Sequence, residues 1–119
     1  MADDKVILVV DDDPDVRSMV SWALADEGYS VVEAGNGCEA LNAVQRAAPD
    51  AILLDLQMPV MDGWAFVREC RADQLCDGVP IVVMSAGQRV GEAVKLGARD
   101  FVAKPFDVDV LLSKVASVL

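Results

Sequence analysis

Residues 6–34 read VILVVDDDPDVRSMVSWALADEGYSVVEA, and this stretch decides the fold. Val6–Val10 is an unbroken aliphatic run rich in β-branched side chains, as expected of a strand buried on both faces. Asp13-Pro14 then reads as a helix N-cap followed by proline at the first helical position. Val16, Met19, Val20, Ala23 and Leu24 recur at helical spacing, and Gly28 offers a stop. Tyr29–Ala34 is a second strand. Strand, helix and strand within one such length form a parallel unit with a right-handed crossover.

The same alternation continues to the end of the chain. Asn36 and Glu39 make an N-x-x-E cap for a helix carrying Ala40, Leu41, Val44 and Ala47, which Pro49 closes off. Ala51–Leu54 is a third aliphatic run, and a turn at 57–63 leads into a helix around Trp64–Arg71. Pro80 introduces a fourth run, Ile81–Met84. A short helical pattern (Val90, Ala93, Val94, Leu96) ends at Gly97, and Asp100–Ala103 is the fifth strand. Asp107 caps a last helix with Val108, Leu111, Leu112 and Val115 on its apolar side. Five strands alternating with five helices predict a single α/β domain over residues 1–119, a doubly wound parallel sheet with 2-1-3-4-5 as the natural strand order.

Composition narrows the chemistry. There are 20 acidic and 10 basic side chains and no histidine, for a net charge of −10. This argues against a nucleic-acid backbone or an anionic membrane as direct partner. It also removes histidine bases and His-ligated zinc. Of the acids 15 are aspartate, a residue of caps, turns and metal sites more than of helix surfaces. Cys38, Cys70 and Cys76 form no CxxC pair and read as reduced thiols. The opening MADDKVILVV is neither a signal peptide nor a membrane span, so a soluble cytoplasmic domain is expected.

Ligands of an open parallel sheet bind outside the carboxyl ends of its strands. Just past the first run stand Asp11, Asp12 and Asp13; past the third, Asp55; past the fourth, Ser85; past the fifth, Lys104. Carboxylates that converge on one point repel each other and either raise a pKa or bind a cation. An all-oxygen set suits magnesium, calcium or manganese, and magnesium in particular uses one or two carboxylates beside water and phosphate. Carboxylate, divalent metal, lysine and hydroxyl together are the components of phosphoryl transfer.

The four motifs VVDDDP (9–14), LLDLQMPVMDG (53–63), MSA (84–86) and FVAKPF (101–106) closely resemble the receiver domain of two-component response regulators, along essentially the whole chain. The resemblance implies a flavodoxin-like fold and a stand-alone signalling receiver. Asp55 would accept a phosphoryl group from a phosphohistidine donor, a sensor histidine kinase or a phosphotransfer protein, and so control a downstream protein. Asp12 and Asp55 would ligate Mg²⁺ (Mn²⁺ as substitute) directly, with the backbone carbonyl of Gln57 as third ligand and Asp11 acting through water. Lys104 would bridge to Asp55 and then to the phosphoryl group, and Ser85 would hydrogen-bond a phosphoryl oxygen. Phe101 matches the switch aromatic, and Lys104-Pro105 a bond usually cis in the family. Such a protein catalyses its own phosphorylation and dephosphorylation but is not a turnover enzyme.

Several residues read more simply as structure. Asp13, Asp62 and Asp107 are cap residues, and Trp22, Trp64, Phe66 and Cys70 are packing residues. One spacing departs from the pattern. Ser85 to Lys104 is 19 positions. That is roughly three fewer than the family usually has, nearly one helical turn, so a shortened fourth helix or preceding loop is expected. Two other readings remain: a receiver-like binding module that works without phosphorylation, and an aspartyl-nucleophile phosphatase of the haloacid-dehalogenase type. The latter requires DxDx followed by Thr or Val after the first strand, where this chain has Asp15.

Overall fold

The aliphatic run Val6–Val10 forms strand β1, which lies between β2 (Ser30–Ala34) and β3 (Ala51–Asp55), both parallel to it. Strands β4 (Ile81–Ala86) and β5 (Asp100–Lys104) extend the sheet beyond β3, giving the order β2-β1-β3-β4-β5. The computed structural model describes residues 5–56, 58, 60–86 and 90–119. The expected doubly wound order is the one found.

Alternation along β1 explains the layers. Ile7 and Val9 face one side and Leu8 and Val10 the other, and all four are buried. The Ile7 side packs on Val20 and Leu24 of helix α1 (Pro14–Asp26) and on Leu111 and Val115 of α5 (Val108–Val118). The Leu8 side packs on Ala40 and Val44 of α2 (Gly37–Arg46), Phe66 and Cys70 of α3 (Gly63–Ala72), and Ala93 and Leu96 of α4 (Val90–Leu96). With water excluded from both faces, the central strands can be apolar throughout.

Caps set the helix starts. Asp13 accepts from the amides of Asp15 (2.9 Å) and Val16 (3.4 Å). Asn36 accepts from Glu39 (2.9 Å), Asp62 from Ala65 (2.9 Å) and Asp107 from Asp109 (2.8 Å). The reciprocal half of the second cap differs from the motif, because the Glu39 carboxylate takes the amide of Gly35 at 2.8 Å rather than that of Asn36. The second strand starts one residue later than predicted. Tyr29 donates its amide to the Leu24 carbonyl at the end of α1, and the ladder begins with Ser30 donating to Lys5.

Helix α4 has seven residues against 13 in α1 and 11 in α5, in line with the short spacing between Ser85 and Lys104. Trp22 overturns its reading as a packing residue. It is 81% exposed, two positions from buried Val20 and Leu24 and hence on the opposite side of α1. Phe66 and Cys70 are buried and Trp64 packs at the core edge. Burial and the adjacent Cys76 thiol push the Cys70 thiol upward, which keeps it protonated and unreactive.

Candidate functional site

The carboxyl edge of the sheet brings one residue from each of three neighbouring strands, and the loop after β1, to a single place. The site residues lie on the strands more than past them. Asp55 ends β3 and pairs with Met84, Ser85 pairs with Ala103, and Ala86 with Lys104, so the parallel ladder carries on through the polar residues. A polar side chain does not end a strand while the backbone ladder continues.

Asp11 and Asp55 are buried, Asp12 is exposed, and one carboxylate oxygen from each lies within 4.8 Å of the others. Lys104 reaches both buried acids, with its ammonium 2.6 Å from Asp11 Oδ2 and 3.2 Å from Asp55 Oδ2. The expected bridge to Asp55 is present, but the shorter contact is to Asp11. Burial by itself would lower the Lys104 pKa. The hydrogen bond to Asp11 and the charges of Asp55 and Asp11 outweigh it and hold the ammonium above its ordinary value of 10.5.

Asp11 is held at every polar atom. Its amide donates to Ala34 (3.1 Å) and its carbonyl accepts from Arg17 Nη1 (2.8 Å). Its Oδ1 accepts the amide of Asp13 at 2.9 Å while Oδ2 takes Lys104. Asp12, by contrast, is the exposed member of the cluster. Ser85 is 1% exposed, and its hydroxyl has no hydrogen-bond partner among the described residues. A buried hydroxyl without a partner calls for a functional explanation.

Phe101 sits half-buried against the α4 side of the sheet, with its carbonyl accepting from Lys114 Nζ at 3.0 Å. The Lys104-Pro105 peptide is cis, as expected. Gln57 lies outside the described residues, so its carbonyl is not placed.

Two positions that spacing did not single out also shape the site. A Cβ on Gly63 would meet the Asp55 carbonyl at 2.8 Å and Leu56 Cα at 2.9 Å, and the Gly63 amide donates to Leu56 at 3.1 Å. The first residue of α3 therefore rests directly on the end of the Asp55 strand, which only glycine permits. Arg17 is the other, gripping the Asp11 carbonyl from the first turn of α1. Beside Lys104, a groove of about 440 Å³ is lined by Val16, Met19, Pro105 and Phe106.

The donors fit a hard divalent cation: all are oxygen, the exposed carboxylate is accessible, and the two buried acids share the charge of Lys104. Fold and pocket thus define a doubly wound α/β protein with an acidic, metal-competent carboxyl edge. The chain belongs to the response regulator receiver domain family, whose model matches residues 7–116.

Among its relatives, response regulator MprA of Mycobacterium leprae is 41% identical over 116 residues, covering 95% of this chain and 50% of the relative. The DNA-binding response regulator MtrA of Mycolicibacterium smegmatis is 42% identical, covering 92% and 48%. The chain thus spans about half the length of these curated relatives. The name of the second works against a general exclusion of nucleic acid as partner.

Solved structures agree. Chemotaxis protein CheY4 of Vibrio cholerae is 36% identical with a TM-score of 0.89, covering 97% of this chain and 98% of that one. Response regulator TrrA of Thermotoga maritima, solved in complex with Mg²⁺-BeF, is 33% identical with a TM-score of 0.86, covering 97% and 99%. No helix among the described residues is long and apolar enough to cross a membrane.

Proposed function

We propose that residues 1–119 act as one receiver unit in which Asp55 takes a phosphoryl group from a phosphohistidine donor on a sensor kinase or phosphotransfer protein. The observation that carries this reading is the placement of Asp55. It is a buried carboxylate at a strand end, beside two further carboxylates and 3.2 Å from a lysine ammonium. In the reaction an Asp55 oxygen forms the new O–P bond as the N–P bond to the donor imidazole breaks, and the electron pair leaves with the imidazole. Lys104 balances the negative charge that builds on the phosphoryl oxygens, and the Ser85 hydroxyl donates to one of them.

Mg²⁺, when bound, would supply further neutralisation of that charge. Asp12 and Asp55 would hold it with the Gln57 carbonyl, and Asp11 would act through water, because both its carboxylate oxygens already accept hydrogen bonds. The acyl phosphate would then bias a two-state element through Ser85 and Phe101, and a downstream protein would read the change.

The unit is a phosphoacceptor and not a turnover enzyme, and we place it in the cytoplasm. Exclusion of nucleic acid is confined to the surface of these residues, where a net charge of −10 disfavours a phosphate backbone.

The test uses phosphoramidate, a small donor with the same N–P bond. Intact-mass spectra should gain one phosphoryl group in millimolar Mg²⁺ and none in EDTA. Equal incorporation under both conditions, or none under either, would overturn the reading.

A further inference from the structure

The two peptide planes that flank Asp12 are both held by side chains. The carbonyl of the 11–12 peptide accepts from Arg17 Nη1 at 2.8 Å, and the N–H of the 12–13 peptide donates to Asp11 Oδ1 at 2.9 Å. The Cα of Asp12 is therefore fixed from both directions, although its carboxylate is the exposed member of the acidic cluster. A short loop with an exposed carboxylate would otherwise sample several backbone conformations, each with a conformational-entropy cost on ordering.

Arg17 is itself held. Its Nε donates to Glu33 Oε1 at 3.1 Å, so β2 anchors a side chain that rises from the first turn of α1. The turn after β2 leaves room for it, since a Cβ on Gly35 would approach Arg17 Nη1 to 3.3 Å. Glu39 braces that turn by accepting the Gly35 amide at 2.8 Å. A planar guanidinium suits two acceptors in different directions, which a lysine ammonium cannot span with the same geometry. A guanidinium this close to a cation site also repels the cation. The neighbouring Glu33 carboxylate reduces that repulsion.

From this geometry we infer that Arg17, anchored by Glu33, is a positioning residue that sets the Asp12 carboxylate for divalent-metal binding. The inference rests on the reading of Asp12 as a metal ligand given above. Groups one shell out from a metal commonly change its affinity by about 10- to 100-fold.

The experiment is calorimetric titration of the metal-free protein with Mg²⁺, together with its metal-free melting temperature. Arg17→Ala should bind Mg²⁺ about tenfold more weakly with a nearly unchanged metal-free melting temperature, and Arg17→Lys should recover part of the loss. Glu33→Gln should also bind more weakly, because the Arg17 charge is then uncompensated. Its deficit should shrink at high salt, whereas that of Arg17→Ala should persist.

Asp12→Asn separates the two levels of the reading. If it leaves Mg²⁺ affinity unchanged, the metal assignment fails. If it abolishes binding while both Arg17 variants bind like wild type, the positioning role fails. A lowered melting temperature with unchanged affinity marks Arg17 as a merely structural residue and also overturns the inference. Should Arg17→Ala not fold, Arg17→Lys and Glu33→Gln decide it.

Discussion

The corner at β1–α1 and the corner at β4–β5 share one sheet edge but differ in how far their polar groups are satisfied. At the first, Asp11 is hydrogen-bonded through amide, carbonyl and both carboxylate oxygens. At the second, the buried Ser85 hydroxyl has no partner among the described residues. A groove of about 180 Å³ lined by Ala93, Val94, Ala98, Asp100 and Phe101 lies further off, at the amino end of β5 where the seven-residue α4 leads into it. One corner holds charge in a fixed geometry. The other has an unused hydrogen bond, which is available to new charge at Asp55.

The largest effect expected on this contrast comes from Lys104→Met, which removes an ammonium that reaches both buried acids. Metal-free stability should fall by about 3 kcal/mol in urea unfolding, because buried carboxylate charge loses its ammonium partner. Millimolar Mg²⁺ should return part of the loss by binding only the folded form. The pH dependence has a definite sign. Since the folded pKa of Lys104 lies above its ordinary 10.5, its contribution is complete below that value and disappears as pH rises through the folded one. The difference between wild type and Lys104→Met should therefore be flat across neutral and mildly alkaline pH and narrow only above it. A difference that closes near neutrality would remove Lys104 from its assigned role.

Gly63→Ala tests the Asp55 strand end, between the two corners, by packing alone. A methyl group there must displace either the Asp55 carbonyl or α3, at a cost of about 1–3 kcal/mol. Phosphoryl incorporation should slow as the acceptor shifts. Wild-type stability and rate would show that the close approach does not position Asp55.

The smallest effect is expected at the unsatisfied corner. Ser85→Ala removes a hydroxyl that is buried without a partner, so resting stability should stay the same or rise by about 1 kcal/mol. The amide NMR shift of Phe101 on adding beryllofluoride should shrink at the same time. A clear loss of resting stability would mean that Ser85 is already satisfied, and the contrast between the corners would fail.

Much of this architecture was legible in the residues because local and global signals coincide. Continuous aliphatic runs at Val6–Val10 and Ala51–Leu54 identify strands buried on both faces, and Asp13, Asn36, Asp62 and Asp107 each cap the helix that follows. The acidic set Asp11, Asp12 and Asp55 with Lys104 follows from strand ends in a parallel sheet. Trp22 reads as a packing residue from its aromatic side chain alone, although its offset of two from Val20 and Leu24 assigns it to the outer face.

Arg17 was not legible. Its partners are a backbone carbonyl and Glu33, 16 positions away, and only the pairing of β1 with β2 brings them together. Gly63 reads as part of an Asp-Gly turn, whereas its requirement is contact with the neighbouring strand end, which no local pattern reveals.

The central claim is that Asp55 is the acceptor. Wild type, Asp55→Asn and Asp62→Asn should be incubated with acetyl phosphate and Mg²⁺, and their intact masses compared. Wild type and Asp62→Asn should each gain one phosphoryl group, and Asp55→Asn none. Equal incorporation by Asp55→Asn, or none by wild type, would contradict the account.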